Sequence, residues 1–259
     1  MNSKTCWSDP VSYQFATEYE NYEDLASGRV LYNQHGSTAF PVRLASELFQ
    51  RGKAILSGKG SRGPYRIYDP CCGGAYMLAS IGFLHGEDIE SIAASDIDPS
   101  AVDLACRNLS LLTAEGLRKR VEQIEQMHDS YGKQSHAEAL AGAERLRQRI
   151  GSFPKSAGIS ECFAADATQP NERLKGKRFD IVLTDVPYGN KVEWNTEASD
   201  PAGLLLDRLE PVLAPASVVI LVSAKDFKIT HVRYRRLGQY KIGKRRVTLL
   251  ESLANVPTD

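Results

Sequence analysis

Apolar residues along this chain gather in short unbroken runs, and most runs are followed by stretches in which apolar positions return every three or four residues. Tyr65-Arg66-Ile67-Tyr68, Ile89 to Ser95, Glu161-Cys162-Phe163-Ala164, Phe179 to Thr184 and Ser217 to Ser223 read as strands, with the run Ile181 to Thr184 a buried one. Val42 to Leu56, Met77 to Phe83, Ser100 to Leu112 and Ala202 to Leu213 read as helices. Pro41 and Pro99 stand where a first helical turn accepts proline. Tyr234 to Ile242 and Arg245 to Leu253, joined near Gly243-Lys244, add a closing strand pair. The alternation predicts an α/β, Rossmann-like fold, with a mostly parallel seven-stranded sheet and helices on both faces.

Two stretches break the rhythm. Residues 113 to about 158 have helical composition, a break near Ser130-Tyr131-Gly132 and a close at Ser152-Phe153-Pro154, which predicts a helical hairpin inserted into the core fold. Its eight basic and six acidic residues suit a solvated face, with RNA contact as the second reading. Residues 1–38 are polar, tyrosine-rich and irregular, an arm preceding a domain of residues 39–259.

Composition narrows the class. At 259 residues, 42% hydrophobic and 25% charged, the chain is ordinary globular material that fits one domain. No apolar run is long enough to span a bilayer and the start lacks a signal segment, so a cytoplasmic location and no membrane partner are expected. The five cysteines (6, 71, 72, 106, 162) form no C-x-x-C pair and the five histidines no i, i+4 pair, so neither a disulfide framework nor a metal site is expected. Net charge is zero, yet Lys225, Lys228, Arg233, Arg235, Arg236, Lys241, Lys244, Arg245 and Arg246 face one acid, Asp226, within a single segment. That local basic face suits phosphate contacts.

The chemistry gathers where strands end. Asp69, Asp96, Asp166 and Asp185 close four successive strands, and ligands of open α/β sheets collect at those ends. After the first strand, Cys71-Cys72-Gly73-Gly74 gives a turn that lets backbone approach a ligand, and Asp96 follows at the distance of a ribose-binding acid. The phosphate-binding G-x-G-x-x-G is absent, which disfavours a dinucleotide. S-adenosylmethionine suits the set better. Asp69 would receive its ammonium, Asp96 its ribose hydroxyls and Asp166 the adenine amino group, with Ile97 and Ala167 beside the ring. Cys71 and Cys72 read as small packing residues near the cofactor, and Asp98 as a helix cap. An Asp185-Val186-Pro187-Tyr188 loop beyond the fourth strand would orient a planar amine: Asp185 and a turn carbonyl accept its protons, and Tyr188 stacks on the base.

The Asp69-to-Gly74 turn and Asp185-Val186-Pro187-Tyr188 resemble motif I and the D/N-P-P-Y motif of class I methyltransferases acting on exocyclic amines, with Val186 in place of the first proline. Together with Phe40 to Arg51, Ser95 to Pro99 and Leu183 to Gly189, they resemble the AviRa-type rRNA methyltransferase family over roughly residues 38–255. The resemblance implies an enzyme that methylates a guanine of 23S rRNA in the large ribosomal subunit, with orthosomycin (avilamycin) resistance as a consequence; a monomer is expected. It also implies that Asp69, Gly73, Asp96, Asp166 and Asp185 to Tyr188 serve as in the family; Ala75 stands where similar enzymes have Gly. Arg43 is a candidate for the cofactor carboxylate or an RNA phosphate, and Trp194 for an RNA base or a loop anchor. Adenine N6 or glutamine amide methylation, and a non-catalytic RNA-binding protein on the same fold, remain alternatives. Cytosine C5 methylation is disfavoured because the loop offers no cysteine nucleophile.

Overall fold

The computed structural model describes residues 13–18, 20–34, 39–150, 158–187, 194 and 196–255. Seven strands form one sheet: β1 (Tyr65–Asp69), β2 (Ile89–Asp96), β3 (Gly158–Ala164), β4 (Phe179–Asp185), β5 (Leu213–Ala224), β6 (Tyr234–Ile242) and β7 (Arg245–Ser252), in the order β3-β2-β1-β4-β5-β7-β6. β1 to β5 are mutually parallel, and β7 runs antiparallel to both of its neighbours. The order reverses between β1 and β4, which opens a crevice beyond their carboxyl ends.

Alternation along the strands builds two cores. Ile67, Ile181, Leu183 and Ile220 point to a face covered by α1 (Val42–Gly58), α2 (Tyr76–His85) and α3 (Pro99–Ser110). Tyr68, Val182, Val219 and Leu221 point to the other, covered by α6 (Pro201–Leu209) and by Leu174 of the loop after β3. α2 is apolar all round and almost wholly buried, as a helix between the sheet and a further layer must be. That layer is the inserted hairpin of α4 (Ala114–Tyr131) and α5 (Gln134–Ile150), broken at Gly132 as the sequence predicts. Among the described residues no helix is long and apolar enough to cross a membrane.

The N-terminal segment is tied down at three places. Glu47 of α1, fully buried, accepts the backbone amides of Gln14, Phe15 and Ala16 at 2.9 Å each, together with Arg51 Nε at 2.6 Å. The hairpin grips it further on: Arg145 forms a two-pronged pair with Asp24 at 2.7 Å, Arg29 pairs with Glu138 at 2.7 Å, and Arg120 Nε donates to the Val30 carbonyl at 2.8 Å. Val30 and Leu31 are buried in the first core. Third, Asn108 of α3 accepts the Tyr32 amide at 2.8 Å and donates to the Gly74 carbonyl at 2.8 Å, so the segment is pinned against the turn after β1.

Candidate active site

The turn after β1 is fastened to the end of β2. Cys72 N donates to the Ser95 carbonyl at 2.9 Å, and Gly73 N to Asp96 Oδ2 at 2.8 Å. Its two glycines are needed for different reasons. Gly73 has φ +51°, and a Cβ there would project into open space beside the strand ends; at Gly74 a Cβ would stand 2.7 Å from Leu104 of α3. Ala75 also adopts a left-handed conformation, φ 55°, as it caps α2. A residue with a Cβ in that conformation carries backbone strain that glycine would avoid. Ala75 is buried, away from the open space that Gly73 faces.

Asp69 is buried at the tip of β1, where it accepts the Cys71 amide at 3.0 Å. Burial pushes its carboxyl up to about 7, with Asp96 and Asp185 adding to the rise and the Thr184 hydroxyl and Cys71 amide opposing it. Burial likewise raises the Cys71 and Cys72 thiols well above their usual range, which suits packing residues and not nucleophiles. Asp96 Oδ1 accepts the Asp98 amide at 3.0 Å, while Asp98 caps α3 through the Ser100 amide at 2.8 Å. Ile97 beside them is 46% exposed, an apolar side chain presented at the mouth of the crevice. Asp166 stands two residues beyond the last of β3, and its Oδ1 accepts the Thr168 amide and hydroxyl at 2.8 and 2.7 Å. Ala167 follows it, half-buried.

Asp185 ends β4 opposite Val222 of β5, across the reversal point from Asp69. Val186 explains its own presence in the motif. Its side chain is buried in the second core, and its amide extends the β4–β5 ladder by donating to the Val222 carbonyl at 2.9 Å, a bond that a proline would remove. Pro187 follows, half-buried; Tyr188 lies outside the described residues. Trp194 packs against the second core, as a loop anchor does.

The basic residues separate into groups. Lys225, Lys228, Arg236, Lys241 and Lys244 are exposed around the closing hairpin. Arg233 is paired with Asp207 and Glu210, and Arg235 with Glu251 at 2.6 Å. Arg246 is buried and donates twice to the Lys225 carbonyl, at 2.8 and 2.6 Å. Arg43 holds the N-terminal segment through the Ala16 and Thr17 carbonyls at 2.8 and 3.0 Å and lies over the Tyr13 ring. Arg233, Arg235 and Arg246 are thus turned to internal partners, a correction to the local basic face expected from the sequence, and Arg43, the separate candidate for a carboxylate or phosphate, is turned to the N-terminal segment. Arg245 stands apart, at 3.9 Å from Asp185.

The sequence profile described as rRNA methyltransferase AviRa matches residues 11–245. The chain belongs to the AviRa rRNA methyltransferase family. It is 38% identical over 246 residues to the 23S rRNA (guanine(2535)-N(1))-methyltransferase of Streptomyces viridochromogenes, covering 93% of this chain and 96% of that protein. Two crystal structures of the rRNA methyltransferase AviRa from the same organism, at 2.4 and 1.5 Å, each superpose with a TM-score of 0.83 at 35% identity, covering 95% of this chain and 98% of theirs. The fold and the rRNA methyltransferase activity expected from the resemblance are therefore those of an AviRa family member. The family match takes in most of the N-terminal segment, which has no motif of its own in the sequence.

Proposed function

We propose that this AviRa family enzyme methylates N1 of a guanine in 23S rRNA, drawing the methyl group from S-adenosylmethionine. The observation that carries the reading is Asp185, a partly exposed carboxylate set beside the Asp69–Gly73 turn at the reversal point of the sheet. The relative's chemistry supports a ring nitrogen, and the reading accordingly replaces the exocyclic amine suggested by the motif alone. Guanine N1 bears a proton at neutral pH, so here Asp185 has a proton to accept as well as a base to orient. Tyr188, by its place in the motif, is assigned to stack on the base.

The residues fit the cofactor. Gly73 leaves open the space a side chain would fill, four acids line the strand ends with no phosphate-binding glycine pattern, and Ile97 offers an exposed apolar surface. Asp69 is assigned to the ammonium, Asp96 to the ribose hydroxyls, Asp166 to the adenine amino group, and Ile97 and Ala167 to the ring. When bound, the sulfonium supplies an already activated methyl group. What the chain adds is placement, a proton acceptor and exclusion of water. The exposed lysines, with Arg236, are assigned to rRNA phosphates.

The test is incubation with labelled S-adenosylmethionine and, separately, 23S rRNA, assembled large subunits, DNA and ribosomal proteins, followed by nucleoside mass spectrometry. 1-Methylguanosine in rRNA is the expected product. Methyladenosine, or label only in protein, would overturn the assignment. Asp185→Ala is expected to bind cofactor normally and to lose transfer by about 10²-fold or more.

A further inference from the structure

Arg245 reaches the site because of strand sense. β7 runs against its neighbours, so its first residue lies at the edge where β1 to β5 end. The registers Ala224↔Arg245 and Val222↔Asp185 place Arg245 and Asp185 on either side of the end of β5. Arg245 Nε is 3.9 Å from Asp185 Oδ2, and the two side chains are 25% and 27% exposed. That is an ion-pair separation and too long for a hydrogen bond. Nε is buried without a hydrogen-bond partner among the described residues, and the guanidinium lies 5.3 Å from the centre of the Phe40 ring. The backbone on both sides is fixed: Lys225 N donates to the Lys244 carbonyl at 3.0 Å, and the buried Arg246 grips the Lys225 carbonyl. Arg245 is aimed at the site by this framework, unlike the lysines around it.

We propose that Arg245 is a second catalytic group, donating a hydrogen bond to guanine O6 while Asp185 takes the N1 proton. The proposal rests on the guanine N1 reading above. On guanine, N1–H and O6 stand side by side, and a carboxylate beside a guanidinium presents the matching acceptor and donor. When the N1 proton passes to Asp185, the electron pair left on the ring is shared between N1 and O6, and a cation at O6 lowers the energy of that charge. The N1–methyl bond then forms as the methyl–sulfonium bond breaks, with the bonding pair returning to sulfur. Methylguanine and a thioether result, both neutral, and protonated Asp185 releases its proton to solvent.

Arg245→Met removes the donor and Arg245→Lys keeps the charge without the fork. Calorimetric binding of S-adenosylmethionine, expected to be unchanged, shows that either variant is folded; if the Met variant fails this, the Lys variant carries the test. The rRNA fragment that carries the target is then prepared unmethylated with guanine, inosine or 6-thioguanine at that position, and binding is measured without cofactor. The wild type should bind the inosine RNA nearly as well as guanine and the 6-thioguanine RNA, which keeps N1–H but replaces O6 with a poorer acceptor, about 10-fold more weakly, whereas the variant should not distinguish guanine from 6-thioguanine. Single-turnover transfer should fall about 10²- to 10³-fold and its pH profile should move to higher pH, because N1 must ionise unaided. Variant transfer within about threefold of wild type, or a retained preference for O6, overturns the proposal. If the wild type methylates no guanine, the guanine reading falls and takes the proposal with it; guanine methylation unaltered in the variants refutes the Arg245 role alone.

Discussion

Asp69 is a carboxyl that its surroundings prefer protonated, since burial lifts it to about 7 from the usual 3.8. Between those values the folded chain holds a proton that the unfolded chain has released, so this group's contribution to stability is full below about 4 and is lost as pH rises through about 7. An ammonium placed against Asp69 reverses the preference. S-adenosylmethionine binding is therefore expected to weaken about tenfold per pH unit below 7 and to release a proton there, as calorimetry in buffers of different ionisation enthalpy would record. Asp69→Asn should remove that pH dependence, weaken binding at pH 8 and leave the free protein more stable than wild type at that pH. At Val186 the argument concerns the backbone. Val186→Pro restores the proline found in the D/N-P-P-Y motif but removes the donor to Val222 O, so a loss of about 1–3 kcal/mol is expected in urea unfolding. The four acids were legible in the sequence because strand ends and turn residues are local signals. Arg245 was legible only as a charge, because its position depends on the sense and register of β7, which form through contacts remote in sequence.

Between elements, the central contact is the one that Asn108 makes, a buried α3 side chain joining Tyr32 of the N-terminal segment to Gly74 of the turn after β1. Asn108→Ala leaves these backbone groups unpaired inside the protein. A stability loss of about 1–3 kcal/mol is expected, together with weaker cofactor binding as the turn loosens, measured by thermal unfolding with and without S-adenosylmethionine. The strands and helices themselves stood out in the sequence, since each buries a continuous or periodic apolar face. The inserted hairpin stood out too, through its charge and the break at Gly132. Its use as a clamp on the N-terminal segment did not, because Arg145–Asp24 and Arg120–Val30 join residues 121 and 90 positions apart and leave no local pattern.

For the whole molecule, zero net charge is compatible with an rRNA substrate, since a local group of exposed cations, Lys225, Lys228, Arg236, Lys241 and Lys244, surrounds the closing hairpin, while Arg233, Arg235 and Arg246 are neutralised or buried within it. Lys241→Ala with Lys244→Ala is expected to weaken rRNA binding and to lower its salt dependence by about one logarithmic unit per lost phosphate contact, with cofactor affinity unchanged. Filter binding across a salt series would measure this, and an unchanged slope would move the phosphate contacts elsewhere. The clamp on the N-terminal segment bears also on how the enzyme is made. Residues 24 to 31 leave the ribosome long before Arg120, Glu138 and Arg145, to which they are bound in the folded protein. During synthesis their docking is completed only after both helices of the hairpin, and the strands β4 and β5 that share the first core with Val30 and Leu31, have emerged. A nascent chain stalled before β4 is expected to present that segment to proteases, and the released full chain is not.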